Sequence, residues 1–88
     1  MKYTVDWSPT AEQELAALWL DSGRRQEVTR AANLLDDLLR VDAHERGESR
    51  AGRTRIMFEA PLAVLFHVTQ QEAKVLVAHV WSPRRKKT

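Results

Sequence analysis

The sequence predicts an α+β domain, ordered β-α-α-β-β-β, with a helical hairpin packed on one face of a mainly antiparallel sheet. Three observations predict it. Two neighbouring segments carry apolar residues at helical spacing, a Ser-Pro pair opens the first of them, and three strand-like runs with short turns fill the second half. The 88 residues hold a single domain, expected over 1–83, followed by a basic tail at 84–88. A chain of this size buries only about 60–65% of its unfolded surface, so most of its apolar residues are needed inside or under a partner.

Residues 2–7 alternate, with Tyr3, Val5 and Trp7 on one side, and predict a short strand. Ser8 is a favoured N-cap, and Pro9 suits a first helical turn whose N–H has no partner in any case. The first helix is expected over 8–21, burying Ala11, Leu15, Leu18 and Trp19, and ending at Gly23. A second helix, 24–41, presents Val28, Ala31, Ala32, Leu35, Leu38 and Leu39 as its buried stripe, with Arg30, Asp36, Asp37 and Arg40 in water. The short connection makes the two an antiparallel hairpin.

Residues 42–52 are polar, with two glycines, and predict a surface loop. Strands are expected over 53–58, 62–68 and 73–81, joined by turns at 59–61 and 69–72. The second and third of these are apolar on both faces and so belong in the middle of the sheet.

Composition narrows the chemistry. There is no cysteine, which excludes disulfides and thiolate metal sites and suits a reducing, cytoplasmic compartment. The start MKYTVDW has no signal-peptide core, and no run approaches the ~18 apolar residues of a membrane span, so no membrane partner is expected. The three glycines are scattered and make no phosphate loop, no Ser-centred elbow occurs, and Asp36 and Asp37 diverge as helix neighbours. His67 and His79 lack metal spacing, with each other or with carboxylates, and no metal or cofactor is expected. Either histidine could act as acid or base if it shares a face with arginines.

Charge is divided unevenly. Residues 1–43 hold five Lys/Arg and eight Asp/Glu, whereas 44–88 hold nine and four. A basic half suits a polyanionic target or an acidic partner segment. Period-two alternation puts Arg53 and Arg55 on one strand face, ~6.5–7 Å apart, opposite Thr54, Ile56 and Phe58. With the apolar face on the helices, the two guanidiniums project from the helix-free side as a phosphate-binding pair. A solvated edge strand decorated with arginine fits the same residues. Arg50 lies just upstream, while Trp81, Arg84, Arg85 and Lys86 follow at the end of the last strand. If the sheet order brings the end of the last strand near the start of 53–58, the whole set forms one nucleic-acid surface, with Trp81 available to stack on a base; a core-edge tryptophan and a solubilising tail fit the same residues.

The stretches YTVDWSPTAEQEL at 3–15, GRTRIMFEAPLAVLFHV at 52–68 and VLVAHVWSPRR at 75–85, in this order and spacing, resemble the RelE/ParE superfamily. Its members are the toxins of bacterial type II toxin–antitoxin modules, often described as plasmid-stabilisation proteins. The resemblance implies a cytoplasmic toxin bound by a cognate antitoxin, as a homodimer or a toxin–antitoxin hetero-oligomer. It implies one of two activities, ribosome-dependent cutting of mRNA or inhibition of DNA gyrase without catalysis. By that resemblance Arg53, Arg55 and Arg85 match the basic residues of a cutting site. Two positions depart from it: Ala63 stands where an arginine is usual, and no tyrosine stands among 82–88. A plain nucleic-acid-binding domain outside such modules is the remaining alternative. The antitoxin segment is expected to be extended or helical, amphipathic and partly acidic.

Overall fold

The computed structural model describes residues 1–83. Strand β1 (Thr4–Trp7) follows the buried Tyr3 and carries the buried Val5. Helix α1 (Pro9–Asp21) starts as the Ser-Pro pair predicts. Ser8 is extended, and its Oγ accepts the Ala11 N–H at 3.0 Å, a cap worth about 1 kcal/mol. Gly23 does not close the helix in the left-handed conformation expected of it. The C-cap is an extended Ser22. Arg25 instead reaches back, donating Nε to Trp19 O (3.1 Å) and Nη2 to Leu20 O (3.3 Å). Helix α2 (Arg25–Leu39) buries Val28, Ala31, Ala32, Leu35 and Leu39.

The polar stretch 42–52 is not only a loop. It holds a 3-10 turn at Ala43–Glu45, with Ala43 fully buried, and a strand, β2 (Glu48–Ala51). Then come β3 (Thr54–Glu59), β4 (Leu62–Thr69) and β5 (Lys74–Trp81). The five strands form one sheet in the order β1-β5-β4-β3-β2, with β1 parallel to β5 and the other neighbours antiparallel. Gly47 makes the entry to β2 possible. Its φ is +65°, and a Cβ there would lie 2.2 Å from Ile56 O.

Both helices pack on one face of the sheet, against Leu62, Val64, Phe66 and Val68 of β4 and Val75, Val77 and Val80 of β5. The register of β3 corrects the expected faces. Arg55, Met57 and Glu59 pair with Phe66, Val64 and Leu62, and therefore share the helix side. Thr54, Ile56 and Phe58 pair with His67, Leu65 and Ala63 and face away. Met57 packs on the core, while Phe58 is 56% exposed. A one-residue difference in phase moves every side chain to the other face, and β4, apolar on both faces, gives no clue to the phase.

Candidate functional site

Among the described residues, Arg50, Arg53 and Arg55 do not converge. Arg55 donates Nε to Arg46 O at 2.6 Å and Nη2 to Gly47 O at 3.2 Å, which ties β3 to the chain entering β2. Arg46 in turn donates Nε to Leu38 O and Val41 O, both at 3.1 Å, and so closes the C-terminus of α2. Arg53 is exposed in the turn before β3 and donates to Thr69 Oγ1 at 3.1 Å. Arg50 is paired with Glu48 at 3.3 Å. Arg84, Arg85 and Lys86 lie outside the described residues.

Sheet order also separates the two ends of the expected patch. Both β3 and β5 run antiparallel to β4, between them, so Arg53 lies level with the start of β5. Trp81 ends β5, about 17 Å further along the strands. The grouping of Arg53 and Arg55 with Trp81 on one helix-free surface is therefore corrected: Trp81 is there, and Arg55 is not.

What the helix-free face carries instead is mostly apolar. One cross-strand row is Phe58, Ala63 and Trp81, and the next is Ile56, Leu65 and His79. Ala63 is fully buried between its neighbours, although it belongs to the face that no helix covers. A third row, Thr54, His67, Leu76 and Asp6, is polar at both ends. There Thr54 Oγ1 lies 3.0 Å from His67 Nδ1. His79 sits where β5 has outrun β1, its Nδ1 3.3 Å from both carboxylate oxygens of Glu14. Glu14 Oε1 also accepts the Val80 N–H at 3.1 Å, which satisfies an open strand edge.

Around the turn after α2, Asp42 accepts the chain's N-terminal ammonium at 2.7 Å, and this contact holds its carboxyl below the usual carboxylate range. Asp42, His44 and Glu45 bring donor atoms within 4.8 Å of one another. Two of the three are already engaged, Asp42 by the ammonium and His44 Nδ1 by Tyr3 Oη at 2.7 Å.

The hairpin carries a second surface that helical spacing did not reveal. Only Ala11 of α1 is fully buried. Trp19 is 39% exposed and Leu20 is 62% exposed. Between α1 and α2, beside the end of β1, lies an open groove of about 630 Å³, lined by Trp7, Leu15, Trp19, Leu20, Val28 and Ala32. At the β1 end, Trp7 Nε1 donates to Asp36 Oδ1 at 3.2 Å, while Arg40 holds Asp36 Oδ2 at 2.8 and 3.0 Å. At the hairpin tip the Arg25 guanidinium lies 4.5 Å over the Trp19 ring. The signal was present in the sequence: α1 is apolar on more than one side, with Leu18, Trp19 and Leu20 consecutive.

No protein-family model matches the sequence, and no curated protein matches it. Solved structures do match. A chain of the toxin–antitoxin complex RelBE2 from Mycobacterium tuberculosis is similar over 94% of this chain and 93% of its own, with a TM-score of 0.76 at 15% identity. The chromosomal ParDE system from P. aeruginosa matches over 94% and 98%, with a TM-score of 0.65 at 14% identity. The isolated RelE toxin of E. coli matches over 97% and 88%, with a TM-score of 0.61 at 16% identity. The chain therefore has the fold of the RelE and ParE toxins. Among the described residues, no helix is long and apolar enough to cross a membrane.

Proposed function

We propose that this chain is the toxin of a type II toxin–antitoxin pair, that its antitoxin seats a segment in the hairpin groove, and that it acts by binding its target rather than by cutting RNA. The observation that carries the reading is the full-length fold likeness to chains from two kinds of toxin–antitoxin system. The groove supplies the means. Trp19 and Leu20 stand exposed on its wall, and an amphipathic segment laid along it covers both. Action without cutting is supported by the arginines. Catalysis at a phosphate needs preorganised cations aimed at one point, but Arg55 is committed to backbone carbonyls and Arg53 stands at the sheet's far corner. DNA gyrase is then the better target among the two activities of the toxins it resembles.

A second reading, ribosome-dependent cutting of mRNA, is favoured by one observation. His67 stands on the open sheet face, at the same end as Arg53, and a positioned acid–base group is worth about 10²–10⁴-fold. Co-expression with the neighbouring gene product tests the first reading: a complex that survives moderate salt is expected, and separate elution contradicts it. A supercoiling assay and mapping of mRNA ends after induction then distinguish gyrase from mRNA as target.

A further inference from the structure

We propose that the free chain pairs with a second copy of itself, hairpin to hairpin and end for end, about a two-fold axis that crosses the groove near Ala16. The groove carries both a projection and a recess. Trp19 and Leu20 stand exposed at its hairpin-tip end, and the space between Trp7 and the small Ala32 lies open at the other. A surface with a knob and a hole side by side closes on itself when two copies exchange them, which a two-fold axis does. Apolar side chains exposed at one end of each copy then cover apolar surface exposed at the other end of its partner.

Charge selects the occupant and its direction. Arg25, over the Trp19 ring, stands at the hairpin tip, and Glu12, Asp36 and Asp37 stand at the β1 end, with Arg30 between. Arg40 already holds Asp36, so Glu12 and Asp37 present the negative end. Along α2, Arg25 and Asp37 are about 18 Å apart. Copies laid tip to tip set Arg25 against Arg25 and Asp37 against Asp37. Turned end for end, each copy sets its Arg25 on the other's Asp37, twice per dimer. A partner of one sign meets only one end of this surface favourably, whereas a second copy meets both. Ala16, exposed and midway between Glu12 and Leu20 on α1, falls beside the axis, where its small side chain lets the backbones approach. The hairpin face is about 20 Å long and ~20 Å wide, a plan area of about half the ~800 Å² that a standard interface takes from each partner. The dimer is therefore reversible and forms at high concentration. A partner segment seated in the groove, as proposed above, and the second copy exclude each other, but the dimer itself does not depend on that reading.

Sedimentation equilibrium of the full chain alone tests the pairing. Monomer is expected at ~1 µM, with dimer growing in between ~50 µM and ~1 mM. Arg25→Glu and Asp37→Arg each turn an attraction into a repulsion at both contacts and should weaken the dimer roughly 5- to 100-fold. The double variant restores the pairing with the signs exchanged and should dimerise within ~3-fold of the parent. Arg25 also closes the end of α1, so Asp37→Arg, at an exposed position, carries the test should Arg25→Glu not fold by circular dichroism. Because the chain has no cysteine, Ala16→Cys should cross-link to its own copy under mild oxidation, while Ser49→Cys, in β2 at the far edge of the sheet, should not. The proposal is overturned if the chain stays monomeric throughout, if Asp37→Arg dimerises as the parent does, or if Ala16→Cys cross-links no more than Ser49→Cys. A dimer lost in Phe58→Lys but kept in Asp37→Arg also overturns it and moves the interface to the open sheet face. A chain that stays monomeric alone yet binds its partner through Leu20 overturns the pairing and leaves the proposed function standing, so the two failures are distinguishable.

Discussion

Leu20→Glu separates the groove's role in binding from its role in folding. Leu20 is 62% exposed. Burying a whole leucine side chain is worth about 1.5–3 kcal/mol, so a partner lying over it gains about 1–2 kcal/mol from the exposed part. A carboxylate at the same place must be stripped of water when the partner docks, which adds a penalty of at least ~1 kcal/mol. The complex is therefore expected to weaken by about 3 kcal/mol, or roughly 150-fold in Kd. The free chain loses only the buried minority of the leucine. Glutamate is about as good a helix former, and its charge in the last turn of α1 costs ~0.3–1 kcal/mol against the helix dipole. The urea midpoint of the free protein should thus fall by an amount corresponding to about 1–2 kcal/mol. Calorimetric titration of the co-expressed partner into each variant reads the difference. An affinity within threefold or so of the parent, with the free chain folded, would refute the placement of the partner in the groove.

Three other substitutions test the fold that positions these surfaces. Gly47→Ala must accommodate a left-handed φ of +65° and a Cβ 2.2 Å from Ile56 O. About 2–4 kcal/mol should be lost, seen as a fall in thermal midpoint of roughly 10–25 °C. Arg55→Ala strips donors from Arg46 O and Gly47 O and should cost about 1–3 kcal/mol, whereas Arg53→Ala, at an exposed turn, should stay within ~0.5 kcal/mol. Denaturant melts of the two variants compare them directly. Toxicity should fall in Arg55→Ala only as far as stability does, and a folded Arg55→Ala that is wholly inactive would return Arg55 to the working surface.

Most of the fold was legible because each element carried its own local signal. Ser8-Pro9 opens α1 as capping chemistry requires, and the stripe from Val28 to Leu39 is buried as its spacing demands. Strand β2 was not legible. ESRA at 48–51 is exposed at every residue, so it has no apolar alternation, and its place is set by the Gly47 turn and its ladder to β3. The face of β3 was misread because Met57 and Phe58 are both apolar and adjacent. Only packing against Val64, on the helix side of β4, decides which of them goes inside. That choice carried the candidate site with it. Trp81 kept its place on the helix-free face, Arg55 exchanged an expected phosphate for two carbonyls, and Phe58 moved from expected core to open surface. The hairpin groove was missed for a related reason. Helical spacing shows which residues of α1 can face the sheet, but not that the second helix stands off far enough to leave Trp19 and Leu20 in the open.

The central claim, that this is a toxin restrained by a partner, is tested most directly by the growth of cells after induced expression of the chain, alone and together with its neighbouring gene product. The account predicts arrest in the first case and normal growth in the second, with arrest restored when Leu20→Glu replaces the parent in the pair. Normal growth while the chain accumulates alone, folded and in solution, would contradict it.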